Sequence, residues 1–141
     1  MVFMLANLLE KGNFILTASV YFHLRRFQVP YLPSSKDQTL NIMKLLEGRT
    51  GRLADLGSGD GRVTNLSTYN NVTAFLAPGV MEVLGEKLLK ELPDDARVIA
   101  CRFPFPNWPQ QSSVGSGLDQ TFAYDISSVR SHLRKVPNTV S

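Results

Sequence analysis

Apolar and polar positions fall into short runs along this chain, and the runs switch between two periods. Leu40, Met43 and Leu46 recur at helical spacing after Ser35 and Gln38, which form an S-x-x-Q capping box, and Gly48 supplies a stop. A helix is predicted to begin just after Ser35. Pro30 and Pro33 bracket an extended segment ahead of it, because proline fixes its own φ and drives the preceding residue out of the helical region. Leu53 to Leu56 and Val72 to Ala77 are apolar runs that end in Gly57 and in Pro78-Gly79, and both read as buried strands. Val80, Val83, Leu84, Leu88 and Leu92 lie on one helical stripe that Pro93 ends. Arg97 to Arg102 is the next strand. The prolines of Phe103 to Pro109 stop it, Gln110 to Gly117 is a polar loop, and Asp119 to Ile126 alternates as a last strand.

Three stretches do not fit this alternation. Met1 to Leu9 and Phe14 to Leu24 are apolar, with Arg25-Arg26 behind them, and neither run is long enough to span a bilayer. Residues 1–28 are expected to be an apolar helical segment, either packed on the domain or lying at a membrane surface as an anchor or targeting remnant. Val63 to Asn71 is polar and without helical period. Residues 127–141 show no apolar period and are expected to be a disordered tail after a domain of residues 29–126.

Composition narrows the classes further. The chain has 141 residues, 43% hydrophobic and 19% charged, enough for one domain with a modest core. Its net charge of +3 is scattered, which suits a solvated surface better than a nucleic-acid partner. With a single cysteine, Cys101, there is no internal disulfide, and the distant His23 and His132 form no metal-ligand cluster. No metal is expected.

The chemistry concentrates in Leu53 to Arg62, Leu-Ala-Asp-Leu-Gly-Ser-Gly-Asp-Gly-Arg. Gly57, Gly59 and Gly61 at alternate positions make a turn whose backbone N–H groups can approach a ligand closely. A dinucleotide fingerprint would place its third glycine at position 62, where Arg62 stands, and no Gly-Lys-Ser/Thr of a phosphate loop follows. Asp55 before the turn and Asp60 within it suit a cationic ligand better than a pyrophosphate. S-adenosylmethionine, with a sulfonium and an ammonium, fits that electrostatics.

This stretch resembles motif I of the seven-strand (class I) methyltransferases. Val29 to Gln38, Cys101 to Trp108 and Gly117 to Asp125 narrow the likeness to the small mitochondrial family of protein-lysine N-methyltransferases that modify the ATP synthase c-subunit and the adenine nucleotide translocase. The resemblance implies an α/β, Rossmann-like sheet with S-adenosylmethionine as cofactor. Asp55, Gly57, Ser58, Gly59, Asp60 and Gly61 would hold the methionine end, with Ser34 and Gln38 as further cofactor contacts. Phe103, Pro104 and Trp108 would wall a substrate lysine channel, although core packing competes as the role of Phe103 and Trp108. No residue is singled out as a catalytic base.

A complete class I sheet runs in the order 3-2-1-4-5-7-6 and needs on the order of 200 residues. By resemblance, this chain lacks strands two and three with their helices, a segment that belongs between Arg62 and Asn65. The acid at the end of strand two that binds the ribose hydroxyls goes with it. The sheet is therefore expected to be incomplete, keeping the order 1-4-5-7-6 and leaving the edge of its first strand exposed. The resemblance also implies a lysine-bearing protein substrate, specifically a mitochondrial inner-membrane protein, and a location at that membrane. Against a shortened but active enzyme stands the alternative of a non-catalytic fragment that binds a partner. DNA or RNA base methylation is disfavoured, because the N/D-P-P-Y/F motif is missing.

Overall fold

The computed structural model describes residues 14–16 (as backbone), 35–56 and 65–135. Among the described residues six strands form one sheet in the order β1-β2-β3-β4-β6-β5: β1 Phe14–Leu16, β2 Gly51–Leu56, β3 Asn71–Ala74, β4 Arg97–Cys101, β5 Ser112–Val114 and β6 Thr121–Asp125. The first four run parallel, and β6 lies antiparallel between β4 and β5. The stretch β2-β3-β4-β6-β5 is the order 1-4-5-7-6 expected of the shortened sheet.

One edge departs from expectation. Phe14–Leu16 pairs in parallel with Gly51 to Leu53, so β2 has a neighbour where the sequence suggests a bare edge. These three residues are strand, in a segment expected to be helical; the rest of residues 1–28 lies outside the described residues. A short apolar run has no local signal to choose strand over helix, and here an unpaired edge decides it.

Helix α1, Lys36–Leu45, starts where the capping box places it. The Ser35 hydroxyl accepts from the Gln38 amide at 3.0 Å, and the Thr39 hydroxyl donates to the Ser35 carbonyl. Gly48, at φ +75°, turns the chain back toward β2, a conformation that β-carbons disfavour. Gln38, Ile42, Leu45 and Leu46 face the sheet, and the last three pack on Leu53, Ile99, Cys101 and Ala123. The opposite face carries α2, Pro78–Glu91, and α3, Ile126–Lys135. Met81, Leu84 and Leu88 of α2 close on Ala54, Leu56, Val72, Ala74 and Val98. Pro78 opens α2 at a position whose N–H would have no intrahelical acceptor anyway.

Helix α3 corrects the expected tail, while residues 136–141 lie outside the described residues. Only Ile126 and Val129 of this helix are buried, too few for a period visible in sequence. What anchors it is tertiary. Arg130 pairs with Asp94 and donates to the carbonyls of Leu89 and Leu92 at the end of α2, and the amides of Ile126 and Ser127 donate to Ala96 and Asp94. Strand β5 likewise falls inside the stretch expected to be loop, because its serines carry no apolar alternation and pairing with the β6 edge makes them strand.

Across the sheet, Arg97 donates from Nε and Nη2 to both Asp125 carboxylate oxygens at 2.7 and 3.2 Å, and from Nη1 to the Leu45 carbonyl. This fork ties β4, β6 and the end of α1 together. On the opposite face, Tyr124 is fully buried and its hydroxyl accepts from the Phe105 amide at 3.1 Å. Tyr124→Phe leaves that buried N–H without an acceptor and is expected to cost about 1–3 kcal/mol, read as a lower urea midpoint at unchanged slope.

Candidate functional site

The parallel strands β2, β3 and β4 all end on one side, at Leu56, Ala74 and Cys101, and α1 begins on that side. Its first turn is fastened there, since Ser35 donates to Asp119 Oδ1 and the Asn41 amide to the Asp119 carbonyl at 3.0 Å. In open α/β sheets, ligands bind outside the carboxyl ends of the strands. Gly57 follows the last residue of β2 in sequence, and β2 ends here.

Asp55 is the next-to-last residue of β2 and is only 4% exposed. Two positions after Leu53, it shares the α1 face of the sheet. Register sets it beside Thr73 on β3, and the Thr73 hydroxyl donates to Asp55 Oδ1 at 2.6 Å. The other oxygen, Oδ2, is buried and has no hydrogen-bond partner among the described residues. Burial pushes the carboxyl pKa up to about 6, against the opposing pull of the Thr73 bond. The same burial, with the Asp55 charge nearby, pushes the Cys101 thiol up to about 12. Cys101 is thus a neutral, inert wall rather than a nucleophile.

Gln38 comes in from above. It is one turn before Ile42 on the sheet-facing stripe of α1, is 2% exposed, and its Nε2 also lacks a partner among the described residues. An unmatched acceptor and an unmatched donor therefore lie at the same end and on the same face of the sheet. Each costs free energy when left without a partner. An α-amino-acid group carries the two complements these atoms lack, an ammonium for a carboxylate oxygen and a carboxylate for an amide N–H. S-adenosylmethionine ends in such a group, so the residues present fit it.

Of the other residues expected from the sequence, Ser34, Gly57, Ser58, Gly59, Asp60 and Gly61 lie outside the described residues. Phe103 and Trp108 are half-buried against the α2 side of the core, and Pro104 is exposed. Trp108 stacks on Phe105 with centroids 4.3 Å apart and meets Tyr124 edge-on, with Gly85 of α2 leaving room for both rings of the stack.

Two residues near this end of the sheet carry no signal in the sequence. Thr73 is one hydroxyl within an apolar strand, and only the β2–β3 register shows that it meets Asp55. Arg102, just past β4 at φ +69°, lays its guanidinium over the Phe75 ring at 5.4 Å and donates to the Leu118 carbonyl. A left-handed non-glycine residue at a strand end is a form of backbone strain that gathers at functional sites. Among the described residues no cluster of His, Cys, Asp and Glu could hold a metal ion.

Comparison with known proteins gives a consistent set of relatives. No family model matches the chain. It is 34% identical to the ATP synthase c-subunit lysine N-methyltransferase of Xenopus laevis over 153 aligned positions, covering 76% of this chain and 68% of the relative. The Homo sapiens protein of the same name is also 34% identical, with 76% and 66% covered. The adenine nucleotide translocase lysine N-methyltransferase of Mus musculus is 34% identical, with 72% and 65% covered. The chain thus spans about two thirds of the length of the curated relatives it matches. Among solved structures, an RNA methyltransferase from Salinibacter ruber in complex with S-adenosyl-L-homocysteine superposes with a TM-score of 0.59 at 20% identity, covering 67% of this chain and 94% of that one. That likeness concerns the fold.

Proposed function

Because the chain belongs to the family of ATP synthase c-subunit and adenine nucleotide translocase lysine N-methyltransferases, we propose that it binds S-adenosylmethionine through Asp55 and Gln38 and serves methyl transfer to a protein lysine. The observation that carries this reading is the buried Oδ2 of Asp55 at the carboxyl end of β2, which has no hydrogen-bond partner among the described residues. A carboxylate desolvated without a cation is a liability for folding, and such groups gather where a ligand completes them.

The cofactor supplies an electrophilic methyl group on a sulfonium. A lysine amine, with an ordinary pKa near 10.4, must first give up its proton. The free amine would then be the nucleophile toward that methyl group, with the neutral thioether as the leaving group. What the protein contributes is alignment and exclusion of water. Asp55, Gln38, Ser34 and the backbone of Gly57, Ser58, Gly59, Asp60 and Gly61 would fix the methionine end. Phe103, Pro104 and Trp108, on the segment after β4, would border the lysine channel.

The chain is also read as a shortened member of the family. About 107 residues, 76% of 141, are spread over 153 aligned positions, so at least about 46 positions of the Xenopus relative face no residue here. A gap of that size matches the loss of strands two and three, and with them the ribose-binding acid. Binding is therefore expected to be weaker than in a complete enzyme, with turnover low or absent. The non-catalytic reading draws on this same gap. The relatives' names point to mitochondrial membrane proteins as substrates, and a mitochondrial, inner-membrane-associated location agrees with them. Among the described residues no helix is long and apolar enough to cross a membrane.

Gly59→Val puts a branched side chain into the turn that must approach the cofactor. It is expected to abolish S-adenosylmethionine binding in calorimetry while the far-ultraviolet circular dichroism is unchanged. Unchanged affinity would take the glycine turn out of the site. Methyl transfer to mitochondrial membrane extracts, assayed with labelled cofactor, then decides between the enzyme and the non-catalytic fragment.

A further inference from the structure

The Asp55 carboxylate does not stand alone at the end of β2. Thr73 is fully buried, sits directly across the β2–β3 register, and donates its hydroxyl proton to Oδ1 at 2.6 Å. A strand side chain projects nearly perpendicular to the sheet, so two neighbours in register point the same way. The β-branch of Thr73 stiffens χ1, and full burial leaves little space for another rotamer. The hydroxyl is therefore held in the direction in which it meets Oδ1.

We propose that Thr73 is a positioning residue for the cofactor site: its hydroxyl locks the Asp55 carboxylate so that Oδ2 alone is presented to the ligand's ammonium group. This rests on the reading of the site as one for S-adenosylmethionine. Without the bond, the carboxylate rotates about χ2 and both oxygens are unmatched. With it, the ionised form is favoured and aimed. Around the pair, β4 contributes the Cys101 thiol, neutral in this setting, and α1 contributes the uncharged Gln38. The charged residues of the first turn of α1, Lys36 and Asp37, are exposed. No other described carboxylate shares the burial of Asp55, so its titration can be followed by itself.

The test compares Thr73→Val, which keeps the shape and removes the donor, with Thr73→Ser, which keeps the donor. Calorimetric affinity for S-adenosylmethionine is measured from pH 5 to 8, and unfolding of the ligand-free proteins is followed over the same range. Thr73→Val is expected to weaken binding about tenfold, the scale of one hydrogen bond to a charged group. It should also move the pH midpoint of binding, and that of ligand-free stability, upward. Thr73→Ser should restore both. A merely structural threonine would lower stability without moving either midpoint, and that result overturns the proposal. Equal losses in both variants overturn it too, since packing and not the hydroxyl would then matter. A folded unmutated chain that binds no S-adenosylmethionine removes the reading of the site itself, a failure distinct from an indifferent Thr73→Val.

Discussion

Asp55→Asn is expected to make the protein more stable at pH 8 and to leave it almost unable to bind S-adenosylmethionine. The carboxyl has a folded pKa of about 6, against an ordinary value of 3.8, because burial disfavours its charge. Below the unfolded value the group is protonated in both states and carries no penalty. As pH rises from that value toward about 6, the unfolded chain ionises while the buried folded carboxyl keeps its proton, so stability falls and levels off only once the folded group has ionised too. A shift of about two units corresponds to roughly 3 kcal/mol, fully exerted above about pH 7. Asparagine keeps the acceptor that Thr73 uses and never ionises. The difference between the two proteins should therefore be small at about pH 4 and grow to roughly 2–3 kcal/mol in favour of Asp55→Asn by about pH 8, as read by thermal unfolding at each pH. Loss of a desolvated charge partner costs about 2–5 kcal/mol of binding, on the order of a hundredfold in affinity. A variant that gains stability and loses its ligand marks a residue kept for binding and not for folding. A pH-independent difference would mean that Asp55 is not buried as described.

Phe105→Ala is the second large effect, with the opposite meaning. Phe105 is 3% exposed, stacked on Trp108 and edge-on to Tyr124 at 5.5 Å, beneath the loop that would border the lysine channel. Removing it empties a ring-sized space that Gly85 cannot fill, with an expected loss of about 3–5 kcal/mol. For a domain of this size that lowers the melting temperature by on the order of 10–20 °C. Phe103→Ala, two residues earlier and only half-buried, should cost no more than about 1–2 kcal/mol and act instead on methyl transfer. Comparable stability losses at both positions would assign the whole segment to scaffold and take Phe103 out of the channel.

Local signals make much of this fold legible. The Ser35 cap, the Gly48 stop, the stripe of α2 and the apolar runs of β2, β3 and β4 are decided within a few residues of chain. What is not legible depends on distant partners. Phe14–Leu16 becomes a strand because β2 has a free edge; β5 exists because β6 can pair with it. Helix α3 is held by Arg130 reaching the end of α2, a contact across 38 residues of chain. The site divides in the same way. Asp55 announces itself beside three alternating glycines, and Gln38 comes in only through the family resemblance. Thr73 becomes part of the site only through register, 18 residues away in sequence.

The most direct measurement is isothermal titration of S-adenosylmethionine into the purified chain and its Asp55→Asn variant, with circular dichroism and thermal unfolding on the same samples. The native sequence is expected to unfold cooperatively and to bind, more weakly than a complete family member, and binding should vanish in the variant while its fold does not. A cooperatively folded chain that binds no S-adenosylmethionine, or a variant that binds it equally well, would contradict a cofactor site built on Asp55.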